Sequence, residues 1–288
     1  MLSVVGTVPD KDFPLMTGEA SLRGSNVCIN GRQIPVNRGT PALLAAAIKA
    51  GELLGQPLPF AYLVGDTGLG NGSRRLYEYL TGHLQKSGSH TITFHYLQPD
   101  VNWHNSVLRT IEEGTHRPAM IADAGYMYAA KMSGNANAYE LFTPDIGELA
   151  FLADEEAPHP FYTRGFILQE ENRVPELIAR SYTHKNAACN LLVKGEKDYV
   201  ANRNGVRETI DWPAEEAMEA IGGTGDTLTG IVSVLIDTDM EVGKASSIAA
   251  MVNRMAGYYA KPTAATQVME IISHIPRALD YILREKNR

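Results

Sequence analysis

Short apolar runs alternate with segments of helical spacing along most of this chain, and this alternation limits the folds that it can adopt. Helical segments separate the strand candidates, which lie at 61–64, 91–96, 119–122, 139–142 and 190–193. Strands that alternate with helices form a mainly parallel sheet with helices on both faces. We therefore predict an α/β fold of three layers, α/β/α. No repeat or linker interrupts the pattern, so we expect a single domain over residues 1–288.

The two ends of the chain lack this alternation. Residues 1–25 are rich in proline and glycine and are predicted to form an irregular arm. A short strand at 26–29 and a polar loop at 30–39 precede a helix that Thr40 is expected to cap, with Pro41 at its first position. The last third is predicted to be helical, with apolar residues at helical spacing over 225–236, 242–259 and 267–283.

Composition limits the classes of partner. The net charge is −7, the pI is about 5.6 and no basic block stands out, so a nucleic-acid role is disfavoured. No run approaches the ~18 apolar residues of a membrane span, and the first residues do not resemble a signal peptide. We expect a cytoplasmic protein without membrane or nucleic-acid partners, and the sequence leaves a homo-oligomer open.

A glycine-rich loop indicates a phosphate site. Gly222-Gly223-Thr224-Gly225 precedes Asp226 and an apolar helical run. A helix that begins there leaves its first N–H groups unpaired, and together with the helix dipole they attract an anion such as phosphate. A carboxylate repels phosphate, so Asp226 is best explained as a base that takes the proton from a hydroxyl attacking that phosphate. The alternative is a glycine-rich turn before a buried helix.

Polar motifs also follow three predicted strands, at the carboxyl ends where such sheets bind ligands. They are Asp123, then Thr143-Pro144-Asp145-Ile146-Gly147-Glu148, then Lys194-Gly195. In this order, and with the glycine loop as the fourth, the motifs resemble the ribokinase-like superfamily, and within it the ADP/ATP-dependent NAD(P)H-hydrate dehydratase domain. The resemblance runs from about residue 119 to near the C-terminus and implies a ribokinase-like three-layer sandwich.

The individual motifs of that family are matched with some substitutions. Its Gly-Gly-Ser-Gly-Asp-x-Leu-x-Gly loop is matched from Gly222 to Gly230, and its Lys-Gly strand end by Lys194-Gly195. Its Thr-Pro-His-Pro-Gly-Glu segment is matched except that Asp145 and Ile146 replace His-Pro. Asp145-x-x-Glu148 is instead similar to the Asn-x-x-Glu motif of ribokinase-like kinases, whose glutamate helps to hold magnesium through water.

The first third keeps only the layout of the family. The segment from Arg23 to Arg32 and the later Gly39-Thr40-Pro41 lack the lysine, serine and tyrosine that the family has there. Since this loop faces the substrate in the family, the resemblance implies that Asn30 and Gly31 bind substrate. It places Asp123 and Asp145 on the substrate side as well, with a helix cap as the alternative for Asp123.

The resemblance implies further roles. Asp226 is the predicted catalytic base, and Gly222, Gly223, Thr224 and Gly225 hold the phosphates of ADP or ATP. Lys194 meets a phosphate, Asn253 lines the adenine side, and Glu148 holds Mg²⁺ through water. The alternatives are a surface ion pair for Lys194 and an exposed first-turn residue for Glu148. By contrast, the histidines show no ligand spacing and are interpreted as incidental; they are His95, His104, His159 and His184.

Three functions follow. The first is an ADP/ATP-dependent dehydratase of hydrated NAD(P)H or a related hydroxylated metabolite, through phosphorylation of a hydroxyl and elimination. The second is an ATP-dependent kinase of a small sugar or vitamin-like alcohol. The third is a nucleotide-binding protein that has lost catalysis, which the altered N-terminal loop favours and the retained Asp226 argues against.

Overall fold

The computed structural model describes residues 1–155 and 173–286. Its strands are β1 (Leu2–Val8), β2 (Met16–Glu19), β3 (Ser21–Arg23), β4 (Asn26–Ile29), β5 (Arg32–Pro35), β6 (Phe60–Gly65), β7 (Thr91–His95), β8 (Ala119–Ala122), β9 (Leu141–Phe142), β10 (Asn190–Val193), β11 (Asp198–Asn202) and β12 (Gly205–Ile210). Nine of them form one sheet in the order β12-β11-β10-β9-β8-β7-β1-β6-β2, and β3, β4 and β5 form a smaller sheet.

The main sheet is parallel through its centre. The six strands from β10 to β6 in this order run parallel, and antiparallel strands flank them, with β11 and β12 at one edge and β2 at the other. The central strands are almost continuously apolar and buried because both faces of a parallel sheet are covered.

Helices cover both faces. They are α1 (Thr40–Leu54), α2 (Asn71–His83), α3 (Val101–Glu112), α4 (Ala124–Met132), α5 (Ile146–Ala153), α6 (Val174–Thr183), α7 (Thr224–Asp237), α8 (Val242–Ala260), α9 (Val268–Ile272) and α10 (Ile275–Lys286). Neighbouring strand residues point to opposite faces, so Val4 packs with α1 and α7 to α10, whereas Val5 packs with α2 to α6. The predicted three-layer α/β/α fold is confirmed.

The prediction of an irregular arm at residues 1–25 was wrong. β1 lies in the middle of the sheet, between β6 and β7, and is entirely buried. Its Gly6 is a packing residue and not a turn residue, because a Cβ there would lie 2.5 Å from Thr40 Oγ1 and 2.9 Å from the carbonyl oxygen of His95. Gly6 lets α1 pack closely against the sheet, but it also interrupts the apolar run of β1. The sequence pattern therefore did not indicate a strand there.

Two other expectations need correction. The predicted polar loop at 30–39 contains β5, and the predicted helix at 267–283 is two helices, α9 and α10. The second begins at Ile275-Pro276, where proline is tolerated because the first turn of a helix does not need its N–H, so Pro276 is suited to a helix start and not to the interior of one long helix. Among the helices of the described ranges, none combines the length and apolar character that a membrane span requires.

Candidate active site

Asp226 lies in the first turn of α7, and both of its carboxylate oxygens accept hydrogen bonds. His95 Nε2 lies 3.0 Å from Oδ1, and the backbone N–H of Gly39 donates to Oδ2 at 2.6 Å. Gly39 immediately precedes α1, so the N-termini of α1 and α7 meet at this carboxylate. A carboxylate has about four lone-pair positions, and these two contacts leave room to accept a proton from a ligand.

The surroundings of Asp226 favour its ionised form. Burial raises the pKa of the carboxyl, but the hydrogen bond and charge of His95, the charge of Lys194 and the Gly39 N–H together lower it below its usual value. Asp226 is therefore an anion at neutral pH and available as a proton acceptor.

His95 is the main site residue that the sequence interpretation missed. It ends β7, is completely buried, and its Nδ1 lies 2.9 Å from the hydroxyl oxygen of Thr40. The interpretation of His95 as incidental was wrong, because the ring contacts the predicted base. The rule that drew attention to Asp123, a polar residue at a strand end, applies equally to His95.

Thr40 does not have the role predicted for it, whereas the other described histidines of that set contact groups other than Asp226. Thr40 does not cap α1; Gly39 holds the N-cap position without a side-chain cap. His104 is buried with its Nε2 2.8 Å from the Tyr139 hydroxyl, and His184 lies 3.7 Å from Glu155 at the surface. His159 lies outside the described residues.

Asp123 and Lys194 form a buried ion pair beside Asp226. Lys194 Nζ donates to both oxygens of Asp123 at 2.9 Å, and the hydroxyl of Thr229 donates to Oδ2 at 2.7 Å. Burial lowers the pKa of Lys194, but the charges of Asp123 and Glu148 outweigh it and raise the pKa above its usual value. Asp123 also caps α4. Its carboxylate is thus held by protein groups, and substrate binding by Asp123 remains a prediction.

Asp145 and Glu148 lie at the start of α5 and form a capping box. The Glu148 N–H donates to Asp145 Oδ1 at 2.7 Å, and the Asp145 N–H donates to Glu148 Oε2 at 2.8 Å. Burial and the charge of Asp145 raise the pKa of Glu148 to about 8, with Lys194 opposing them. The backbone N–H of Lys194 donates to the Pro144 carbonyl, which joins this motif to the ion pair.

The glycine loop meets the conditions for an anion site. Gly223 has φ 102°, in the left-handed region, and no side chain caps α7, so the first N–H groups of the helix have no side-chain partner among the described residues. A Cβ on Gly225 would lie 3.7 Å from Lys194 Nζ, so the ammonium group lies beside the loop. Gly222 is exposed and adjoins Arg38, which the sequence interpretation also missed.

Asn253 lies on α8 behind this helix start, and both ends of its amide are engaged. The hydroxyl of Thr227 donates to Asn253 Oδ1 at 2.6 Å, and Asn253 Nδ2 donates to the Thr224 carbonyl at 3.1 Å. These bonds tie the loop to α8. Contact between Asn253 and an adenine remains a prediction.

Asn30 and Gly31 are not brought to this cluster by any described contact. They form the turn between β4 and β5, and Asn30 Nδ2 donates to the Thr17 carbonyl at 2.9 Å. Their φ values of 48° and 81° are those of a tight Asn-Gly hairpin turn. From the first third of the chain, Gly39 and His95 contact Asp226 directly, and Thr40 reaches it through His95.

Three side chains of this site lie close enough together to be considered as cation ligands. Within the described residues, ligand atoms of His95, Asp123 and Asp226 all lie within 4.8 Å of one another. The ammonium group of Lys194 already supplies a positive charge there, and Mg²⁺ prefers oxygen ligands to imidazole. We therefore assign no metal to these three side chains.

Comparison with known proteins indicates the family to which this chain belongs. A family model described as NAD(P)H-hydrate dehydratase matches residues 99–277, more than half of the chain. An uncharacterized protein of Methanocaldococcus jannaschii is 40% identical over 84% of this chain and 100% of its own length. A bifunctional NAD(P)H-hydrate repair enzyme of Hyperthermus butylicus is 39% identical over 34% of this chain, but that match spans only 18% of the repair enzyme.

Solved structures support the fold. A ribokinase-like superfamily protein of Enterococcus faecalis superposes with a TM-score of 0.59 at 14% identity, covering 98% of this chain and 87% of its own. The ADP/ATP-dependent NAD(P)H-hydrate dehydratase of Bacillus subtilis, co-crystallized with ATP/Mg²⁺, gives 0.58 at 15% identity, with 98% and 89% covered. The fold is therefore ribokinase-like, and this chain belongs to the NAD(P)H-hydrate dehydratase family.

Proposed function

We propose that this chain is a dehydratase that removes water from hydrated NADH or NADPH at the expense of ADP or ATP, with Mg²⁺. The observation that carries the proposal is the place of Asp226, an ionised carboxylate in the first turn of a helix that begins without a side-chain cap. A phosphate held by the N–H groups of that turn would lie next to the base. Membership of the family and the ATP/Mg²⁺ in the Bacillus subtilis crystals support the nucleotide.

In this mechanism the residues of the chain manage one proton and one phosphoryl group. Asp226 accepts the proton of the substrate hydroxyl, and the hydroxyl oxygen bonds to the terminal phosphorus of the nucleotide. The bond between that phosphorus and the rest of the nucleotide breaks in the same step. The N–H groups of Thr224 and Gly225 and the ammonium group of Lys194 stabilise the charge on the transferred group. Phosphate then leaves with the electrons of the carbon–oxygen bond, the neighbouring carbon loses a proton to water, and the electrons of that carbon–hydrogen bond form the double bond.

The carboxylates of α5 fit a magnesium ion. Asp145 and Glu148 offer oxygen ligands, which Mg²⁺ prefers together with several waters. Burial raises the pKa of Glu148 most, the charges of Asp145 and Asp123 add to it, and Lys194 opposes them; a divalent cation would offset the part that is due to the two carboxylates. When bound, Mg²⁺ would neutralise charge on the nucleotide phosphates, and Glu148 would hold it through water.

A small-molecule kinase is the second candidate, and two sequence differences from the dehydratase family favour it. Asp145 stands where the dehydratase family has histidine, and the N-terminal loop lacks the family's lysine, serine and tyrosine. A kinase would use Asp226 in the same way but would leave the phosphate on its product.

The test is an assay of NADH hydrate with ADP or with ATP in the presence of Mg²⁺. We expect NADH absorbance to recover and inorganic phosphate to appear in equal amounts. A panel of sugar and vitamin alcohols with ATP provides the comparison. A stable phosphorylated alcohol without turnover of the hydrate would establish the kinase instead. Nucleotide binding without either reaction would indicate the protein that has lost catalysis.

A further inference from the structure

We propose that His95 is a positioning residue for Asp226: it fixes the orientation of the carboxylate from the sheet side, and Thr40 fixes His95 in turn. The inference rests on the proposed role of Asp226 as the base. His95 itself is completely buried, so it acts through Asp226 and not on a substrate.

The direction of the hydrogen bond to Asp226 follows from the chemistry of the carboxylate. An ionised carboxylate only accepts, so His95 donates from Nε2 to Asp226 Oδ1 at 3.0 Å. Nδ1 lies 2.9 Å from the Thr40 hydroxyl oxygen, and the hydroxyl can donate to Nδ1 of a neutral ring or accept from the Nδ1–H of a charged ring. The carboxylate thus requires the proton on Nε2, and Thr40 holds the opposite side of the ring.

The packing around Thr40 leaves space for the hydrogen bonds that join Thr40 to His95 and His95 to Asp226. Thr40 and His95 are both completely buried, and Gly6 in the neighbouring strand leaves the space that the Thr40 side chain fills. Both ring nitrogens of His95 have partners, as buried polar groups require. The Gly39 N–H then holds the second oxygen of Asp226, so the carboxylate is fixed from two sides.

Groups from several elements face Asp226, and the test must separate them from His95. The titratable or charged ones are Lys194 after β10, Asp123 after β8, and Tyr96 after β7. None of these three has a described hydrogen bond to Asp226, whereas the His95 side chain does. A change at His95 should therefore affect Asp226 in a way that a change at another buried histidine does not.

The experiment is a double-mutant cycle of His95→Asn and Asp226→Asn, followed by urea unfolding across a range of pH. At neutral pH we expect His95→Asn to raise the unfolding equilibrium constant about tenfold to a hundredfold more with Asp226 present than in the Asp226→Asn background. This coupling should shrink as the pH falls through the pKa of Asp226, because the protonated carboxyl loses its charge. Thr40→Val, which is close to isosteric, should show a smaller coupling of the same sign, and it replaces His95→Asn if that variant does not fold.

His104→Asn is the matched control, since His104 is equally buried but bonds to Tyr139 and has no described contact with Asp226. It should lower stability additively with Asp226→Asn. If the hydrate is turned over, His95→Asn should also move the acid limb of kcat/KM to higher pH, whereas His104→Asn should leave it in place. The unfolding cycle needs no substrate, so it decides the inference even if the proposed reaction is not found. Additive effects of His95→Asn and Asp226→Asn, or an equal coupling for His104→Asn, would overturn it.

Discussion

Lys194 Nζ lies 2.9 Å from both carboxylate oxygens of Asp123, and the two side chains are only 14% and 2% exposed. Lys194 follows β10 and Asp123 follows β8, and β9 lies between these two strands in the sheet. The pair places a positive charge beside the glycine loop while leaving little net charge in the interior. It is therefore both part of the fold and part of the proposed phosphate site.

This pair predicts a large loss of stability for Asp123→Asn. Removing Asp123 takes away the carboxylate that is hydrogen-bonded to Lys194, and breaking a buried ion pair in this way costs about 3–5 kcal/mol. Urea unfolding measures the loss, and the double variant Asp123→Asn with Lys194→Met should recover part of it. A loss of about 1 kcal/mol or less, as for a surface pair, would show that the pair is solvated.

A second buried pair supports the turn that follows Lys194. Arg254 on α8 donates to Asp198 Oδ2 at 2.7 Å and to the carbonyl oxygens of Gly195 and Glu196. Arg254→Met should cost about 3–5 kcal/mol for the same reason and should weaken nucleotide binding by loosening the turn.

Arg284→Met is the control for that variant. Arg284 also donates to an aspartate, Asp280, at 2.9 Å, but its side chain is 75% exposed. Its loss should cost only ~0–1 kcal/mol. Equal effects of Arg254→Met and Arg284→Met on stability and nucleotide affinity would argue against the supporting role of Arg254.

The sequence predicted the elements whose physical cause is local. The apolar runs that became β7, β8 and β10 are long enough to be recognised, and the motifs at their ends follow from the rule that ligands bind there. The glycine loop could be predicted because a helix start with small residues has a known electrostatic consequence.

What could not be predicted depends on contacts between distant segments. His95 is 55 residues from Thr40 and 131 residues from Asp226, and no local pattern connects the three. β1 was missed for a similar reason, since Gly6 is explained only by the approach of Thr40. The Asn30-Gly31 turn has no described contact with Asp226, and substrate binding by these two residues stays a prediction.

Gly223 should tolerate alanine worse than Gly222 does. At Gly223 φ is 102° and a Cβ would lie 3.1 Å from Val268 and 3.2 Å from the Arg38 backbone, whereas a Cβ on Gly222 meets nothing closer than 3.8 Å. Gly223→Ala should therefore lower the free energy of unfolding by about 1–3 kcal/mol. Thermal unfolding of both variants measures this, and a greater loss for Gly222→Ala would contradict the loop geometry.

Without Mg²⁺, Glu148 should make stability depend on pH. Its pKa is raised from 4.5 in the unfolded chain to about 8, so the folded protein binds its proton more tightly than the unfolded chain does. The contribution of Glu148 to the free energy of unfolding is fully present below its pKa in the unfolded chain. It is lost as the pH rises through its pKa in the folded protein. Urea unfolding between these two pH values should show the decline, and Glu148→Gln should flatten it; an unchanged slope in the variant would exclude Glu148 as its source.

Asp226→Asn tests the central claim most directly, in the NADH-hydrate assay with nucleotide affinity measured in parallel. Because a base that accepts a proton in the transition state contributes about 10²–10⁴-fold, kcat should fall by that factor. Affinity for ADP or ATP should hold or improve, since a negative charge beside the phosphates is removed. A variant that turns over the hydrate at nearly the wild-type kcat, with nucleotide still bound, would contradict the assignment of Asp226 as the base.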